Sequence, residues 1–88
     1  KYKLYQNYPN PFNPYTNIKY TVKRETSNVK LIIFDITGRE VIKLVDKEQS
    51  AGTYKVDWST AGYSSGVYFY SLIVNGSKID TKKMILVK

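Results

Sequence analysis

Along most of the chain, apolar and polar residues alternate with a period of two. Ile18, Tyr20 and Val22 alternate with Lys19, Thr21 and Lys23. Successive side chains of an extended chain point to opposite sides, so this pattern predicts a strand with one dry and one wet face. The stretch 29–36 starts the same way and becomes apolar on both faces through Leu31-Ile32-Ile33-Phe34, which predicts a central strand. A short strand is expected over 41–45, and Tyr54, Val56 and Trp58 alternate with Lys55 and Asp57 to predict another. The longest run, 67–74, reads as a second central strand; 78–87 supplies the last, and 3–6 a short first one. No 3.6-residue period persists for three turns, so no substantial helix is expected.

The residues between these runs say how the strands connect. Val74-Asn75-Gly76-Ser77 places Asn-Gly between two strands. Both central positions of a type I′ turn need positive φ, which Asn and Gly tolerate best, so a tight hairpin is predicted. Gly38, in Thr37-Gly38-Arg39, is expected to supply another left-handed residue. Ser50-Ala51-Gly52 and Ser64-Ser65-Gly66 each deliver the chain into a new strand. The stretch Tyr8-Pro9-Asn10-Pro11-Phe12-Asn13-Pro14 differs, because each proline fixes φ and removes an N–H donor. It predicts a stiff, non-ladder segment whose Phe12 packs onto an end of the fold. Asn10 and Asn13 are expected to bond to nearby backbone, as in Asx-turns.

About seven strands with regular turn signals predict an all-β fold, an Ig-like or fibronectin-like antiparallel β-sandwich. The chain is expected to be one domain over 1–88, in which 1–14 is a stiff Pro-rich opening after a short strand and 15–88 is the sandwich body. The expected core is Ile18, Tyr20, Leu31, Ile33, Val41, Leu44, Tyr54, Val56, Trp58, Tyr68, Tyr70, Leu72, Met84 and Leu86.

Composition narrows the chemistry. The 88 residues contain no Cys and no His. Disulfides, thiolate or imidazole metal sites, and nucleophiles activated by a histidine base are excluded within the chain. The seven carboxylates are dispersed in turns or on wet faces, so no acid pair of a glycosidase is expected. Asp46 and Glu48, read as lying near one turn, are solvated charges rather than a cation site. No catalytic residue, metal or cofactor is expected. The net charge of +7 is spread over alternate strand positions, which suits a solvated sheet face better than a nucleic-acid stripe. The tight basic groups are Lys23-Arg24 and Lys82-Lys83. No apolar run approaches the roughly 20 residues of a membrane helix, so no membrane insertion is expected, and the N-terminus does not read as a signal peptide. The 15% aromatic content leaves a carbohydrate-binding module as a competitor, since Tyr2, Tyr5, Tyr15, Tyr63 and Phe69 are less readily placed in a core.

Five blocks carry a resemblance. Leu4-Tyr5-Gln6-Asn7-Tyr8-Pro9-Asn10-Pro11-Phe12-Asn13-Pro14 is similar to the opening of the type A C-terminal sorting domains of cargo exported by the bacterial type IX, or Por, secretion system. Ile36-Thr37-Gly38-Arg39-Glu40-Val41, Ser50-Ala51-Gly52-Thr53-Tyr54, Ser65-Gly66-Val67-Tyr68-Phe69-Tyr70-Ser71-Leu72 and Thr81-Lys82-Lys83-Met84-Ile85-Leu86-Val87-Lys88 resemble its later blocks, in family order. Tyr15, Tyr63 and Ser71 depart from the residues more usual there. The same proline-rich opening occurs in Ig-like domains of flagellar hook-capping proteins.

The resemblance assigns structural motif roles to Pro9, Asn10, Pro11, Phe12, Asn13, Gly38, Glu40, Gly52, Gly66, Tyr68 and Leu72. It implies a secretion signal that is a ligand and not an enzyme. An N-terminal passenger would be carried through the periplasm, recognised by the type IX translocon, and moved to the cell surface or the medium. A surface signal peptidase would then remove the domain. The candidate recognition residues are Lys82, Lys83, Met84, Leu86 and Lys88 on the terminal strand. A non-catalytic Ig-like accessory module, sugar-binding or spacer, is the alternative.

Overall fold

A computed structural model describes residues 2–12, 14–23, 26–59 and 61–88. Seven strands follow one another: β1 (Lys3–Leu4), β2 (Tyr15–Val22), β3 (Ser27–Phe34), β4 (Glu40–Gln49), β5 (Gly52–Ser59), β6 (Gly66–Val74) and β7 (Ser77–Leu86). There is no helix among the described residues. β1-β2-β5 form one sheet and β4-β3-β6-β7 the other, every pair antiparallel. This is the expected sandwich. β3 and β6, the runs apolar on both faces, are the two central strands of the larger sheet.

Local chemistry fixes the connections. Asn75 and Gly76 have φ of 50° and 83°, the left-handed pair that a type I′ turn needs. The hairpin tip is tied to the start of β3: Asn28 N–H donates to Asn75 Oδ1 at 2.8 Å, and Asn75 N–H donates to the Asn28 carbonyl at 2.8 Å. At the β3–β4 turn, the Asp35 carboxylate accepts from the Thr37 and Arg39 backbone amides, and Gly38 sits at φ 88°. Two crossings between the sheets are each locked by a tyrosine reaching four residues back. Tyr54 donates to the Ser50 carbonyl at 2.6 Å and Tyr68 to that of Ser64 at 2.7 Å. The second is the tyrosine corner of immunoglobulin-like sandwiches.

Most of the expected core is buried, with Ile18, Leu31, Ile33, Tyr70, Leu72 and Met84 completely so. Val41, Leu44, Tyr54 and Val56 are only half-buried. For Val41 and Leu44 the reason is register. Leu31 pairs with Val45 but Ile32 with Lys43, and Ile33 pairs with Ile42 but Phe34 with Glu40. Leu44 and Val41 are thus the extra residues of two bulges, and a bulge re-aims the side chains around it. Val45 takes the inward place. Tyr54 and Val56 lie on β5, an edge strand. β4 also runs longer than 41–45, so Asp46 and Glu48 are strand residues and not turn residues. Charged side chains are tolerated there because β4 is an edge.

The two sides of the sandwich close differently. Between the edges of β4 and β5 a groove of about 390 Å³ remains, lined by Tyr20, Val45, Gln49, Tyr54 and Val56. On the other side β1 packs against β7, and the chain after β1 continues along β7. One end is filled by an aromatic cluster in which the Trp58 ring lies 5.7 Å from Phe12, 5.0 Å from Tyr63 and 5.3 Å from Tyr68.

Candidate functional site

β7 is the outer strand of its sheet, so one row of its backbone groups has no strand partner. The proline-rich opening occupies that row. Phe12 N–H donates to the Ile85 carbonyl at 3.0 Å, and Val87 N–H donates to the Phe12 carbonyl at 3.1 Å. Ile85 N–H donates to Asn10 Oδ1 at 2.9 Å, and Gln6 Nε2 donates to the Lys83 carbonyl at 2.8 Å. Pro9 and Pro11 have no N–H, so a continuous ladder is impossible. The carboxamides of Gln6 and Asn10 take the places that backbone groups would hold. Asn10 therefore bonds across the molecule to the terminal strand, not to its own turn as the sequence suggested. Asn13 lies outside the described residues. The Phe12 ring is 2% exposed and anchors the segment in the core.

A buried polar node fixes the start of this clamp. Asn7, Thr16 and Tyr70 are all buried. The Tyr70 hydroxyl accepts from Asn7 N–H at 2.7 Å and donates to the Tyr5 carbonyl at 2.7 Å. Asn7 Nδ2 donates to Thr16 Oγ1 at 3.0 Å, Thr16 Oγ1 donates to the Pro9 carbonyl at 2.9 Å, and Gln6 Nε2 donates to Asn7 Oδ1 at 2.7 Å. Burial pushes the Tyr70 phenol up to about 12, with the bond from Asn7 opposing and the Asp80 charge adding. Neither Asn7 nor Thr16 stands out in the alternation of the sequence. The available signal was a Gln-Asn pair directly before Tyr-Pro-Asn-Pro.

The candidate recognition residues do not share one surface. Met84 and Leu86 are buried in the core, opposite Tyr68 and Gly66. Lys82 pairs with Tyr70 and so sits on the core side of β7 at the margin, its Nζ 3.5 Å from Asp80 Oδ2. Lys83 pairs with Phe69 and lies on the opposite, outer face. Lys88 follows the strand, its N–H donating to Ser65 Oγ at 3.1 Å.

Glu40 opens β4 and pairs with Lys43 at 3.0 Å. Gly52 and Gly66 open β5 and β6. Leu72 is buried, as is Tyr68 at its corner. Among the aromatics less readily placed in a core, Tyr63 joins the Trp58 cluster, and Tyr2 donates to or accepts from Ser27 Oγ. Tyr5 lies under the ammonium groups of Lys3 and Lys19, 4.6 and 4.4 Å from its ring centre.

The family described as "Secretion system C-terminal sorting domain", of the type IX or Por system, matches residues 6–88. The chain belongs to this family. In structure, the sorting domain is similar to an alkylpurine DNA glycosylase of Pseudomonas fluorescens, AlkC, bound to DNA containing an abasic site analogue. The TM-score is 0.69 at 15% identity, over 99% of this chain and 30% of that one. At that identity the likeness concerns the fold alone. No curated protein matches the chain in sequence. Within the sorting domain, three of the five motif blocks form one body around β7. The β6 block pairs with the terminal block, and the opening block clamps its outer edge.

Proposed function

We propose that this domain is the export signal of a passenger joined to its N-terminal side. It is read by the type IX translocon in the folded state, carried across the outer membrane, and then removed by a surface peptidase. It acts as a ligand and not as a catalyst. The observation that supports this is the clamp. The first and last blocks of the family pattern, 75 residues apart at Asn10 and Ile85, are held together by backbone and carboxamide bonds. A signal assembled in this way exists only when the domain is folded, which suits a tag borne by unrelated passengers.

The deciding experiment fuses residues 1–88 to a periplasmic reporter in a bacterium with a type IX system. Reporter at the cell surface in the presence of the translocon, and in the periplasm without it, is the expected outcome. Periplasmic retention in both strains would refute the proposal.

One observation favours a second reading, a sugar-binding module. Tyr8 is 81% and Tyr15 57% exposed. Both lie on the outer face of the small sheet with Asn17, whose Nδ2 donates to Asp57 Oδ1 at 2.9 Å. Retention on insoluble polysaccharide that disappears in the double variant Tyr8→Ala, Tyr15→Ala would support it.

A further inference from the structure

The outer face of the large sheet is apolar at its centre. An antiparallel sheet with one wet face normally alternates apolar-in and polar-out. Here β3 turns Lys30, Ile32 and Phe34 outward, and β6 turns Val67, Phe69, Ser71 and Ile73 outward. Ile32 and Ser71 are buried even on this face, while Phe34, Val67, Phe69 and Ile73 are half-exposed. The pairs Phe34–Phe69 and Val67–Ile85 lie directly across from one another. Beside the two Phe rings lies a shallow depression of about 240 Å³ with Ser71, Thr81 and Lys78 at its margin.

The flanks of this face carry opposite charges. On the β7 side Lys78 and Lys83 stand opposite Ile73 and Phe69, and among the described residues neither has an ion-pair partner. On the β4 side stand Glu40, Asp46 and Glu48, with Lys43 tied to Glu40 and Lys30 directly across from Asp46. The edge of β7 next to this face is already bonded to the opening segment over residues 83–87, which closes it to strand addition. On the face itself Phe34, Val67, Phe69 and Ile73 stay half-exposed.

We propose that this face docks the domain onto a protein of the export machinery. That partner presents an apolar patch with carboxylates over Lys78 and Lys83 and cations over the β4 flank. The proposal rests on the sorting-signal reading and names the surface through which it works. The opposed flanks admit one orientation of the partner and penalise the reverse, which is how charge confers specificity on a small contact. Four strands about 4.8 Å apart, read over about six residues of 3.3 Å rise, span roughly 400 Å². A stable complex needs about 800 Å² per partner. The area suits brief engagement of a cargo in transit and falls short of a stable dimer of this chain. A second copy, turned about an axis parallel to the strands, would nevertheless match the charges.

The test uses the reporter fusion with two variants of equal net charge. One is Lys78→Glu with Lys83→Glu; the other is Lys19→Glu with Lys55→Glu, on the outer face of the small sheet. Export of the first pair should fall at least about tenfold with its melting curve unchanged, while the second pair is exported like the parent. Export of the Lys78/Lys83 pair at the parent level overturns the docking face but leaves the sorting function standing. Failure of the parent fusion itself overturns the sorting reading. A reversible dimer of the isolated domain that the Lys78/Lys83 pair abolishes, with export intact, overturns the proposal in favour of self-association.

Discussion

Tyr70 shows how a single residue can join chain ends that pattern analysis cannot connect. Its ring belongs to the inward phase of β6, so its burial was expected from alternation. Its hydroxyl serves Asn7 and Tyr5, more than sixty residues earlier, and no local rule predicts that. Tyr70→Phe leaves the buried Asn7 N–H without its acceptor and should cost about 1–3 kcal/mol, readable as a lower denaturant midpoint at neutral pH. The pH dependence has a definite sign. The phenol holds its proton up to about 12 when folded, whereas an unfolded tyrosine loses it near 10. Stability contributed by this shift is full below about pH 10 and is lost as pH rises towards 12. The Tyr70→Phe variant should therefore lose less stability between pH 9 and 11.5 than the parent. An equal loss in both would disprove the assignment. Asp35 works in the opposite sense, because the Thr37 hydroxyl bond, followed by the Arg39 and Thr37 amides, holds its carboxyl below the usual range. Its contribution is present above about pH 4 and fades as pH falls through the lowered value. Asp35→Asn should flatten the acid limb of the melting profile.

At the scale of elements, the strands and the Asn-Gly hairpin were legible because period-two burial and positive-φ turns are local properties. The bulges of β4 were not. An extra residue announces itself only through its partner strand, and Val41 and Leu44 look like any inward pair in one dimension. The clamp on β7 was hidden for a related reason: Asn10 has a side chain suited to its own turn, and only the fold brings Ile85 within reach. Amide exchange can isolate this clamp. Asn10→Ala removes the acceptor of Ile85 N–H but leaves Phe12 to hold Val87, so Ile85 should exchange faster while Val87 changes little. Phe12→Ala empties a core position at a cost of about 3–5 kcal/mol. It should speed exchange at both amides and lower the melting temperature. Unchanged exchange at Ile85 in Asn10→Ala would show that the carboxamide bond does not protect the edge.

For the whole molecule, the asymmetry of closure matters most. One side of the sandwich is left as an open groove between β4 and β5, while the other is sealed by the opening segment bonded along β7. The family pattern begins at residue 6, after β1 and at the start of the clamp. Two truncations separate these parts. A chain starting at residue 6 loses β1, the buried Leu4 and the Tyr5 carbonyl that accepts from Tyr70 but keeps Gln6, Asn7, Asn10 and Phe12. It should fold with its stability lowered by about 2–5 kcal/mol, the usual range for a lost core Leu. A chain starting at residue 15 also loses Phe12, the Asn7 partner of Tyr70, and the partners of Ile85 and Val87. The combined loss approaches the whole 5–15 kcal/mol available to a small domain. That chain should be largely unfolded at 25 °C or should self-associate through the bared edge of β7. Circular dichroism melts and sedimentation of the two chains distinguish the cases, and a chain starting at residue 15 that stays monomeric and melts like the parent would show the opening segment to be dispensable for the fold.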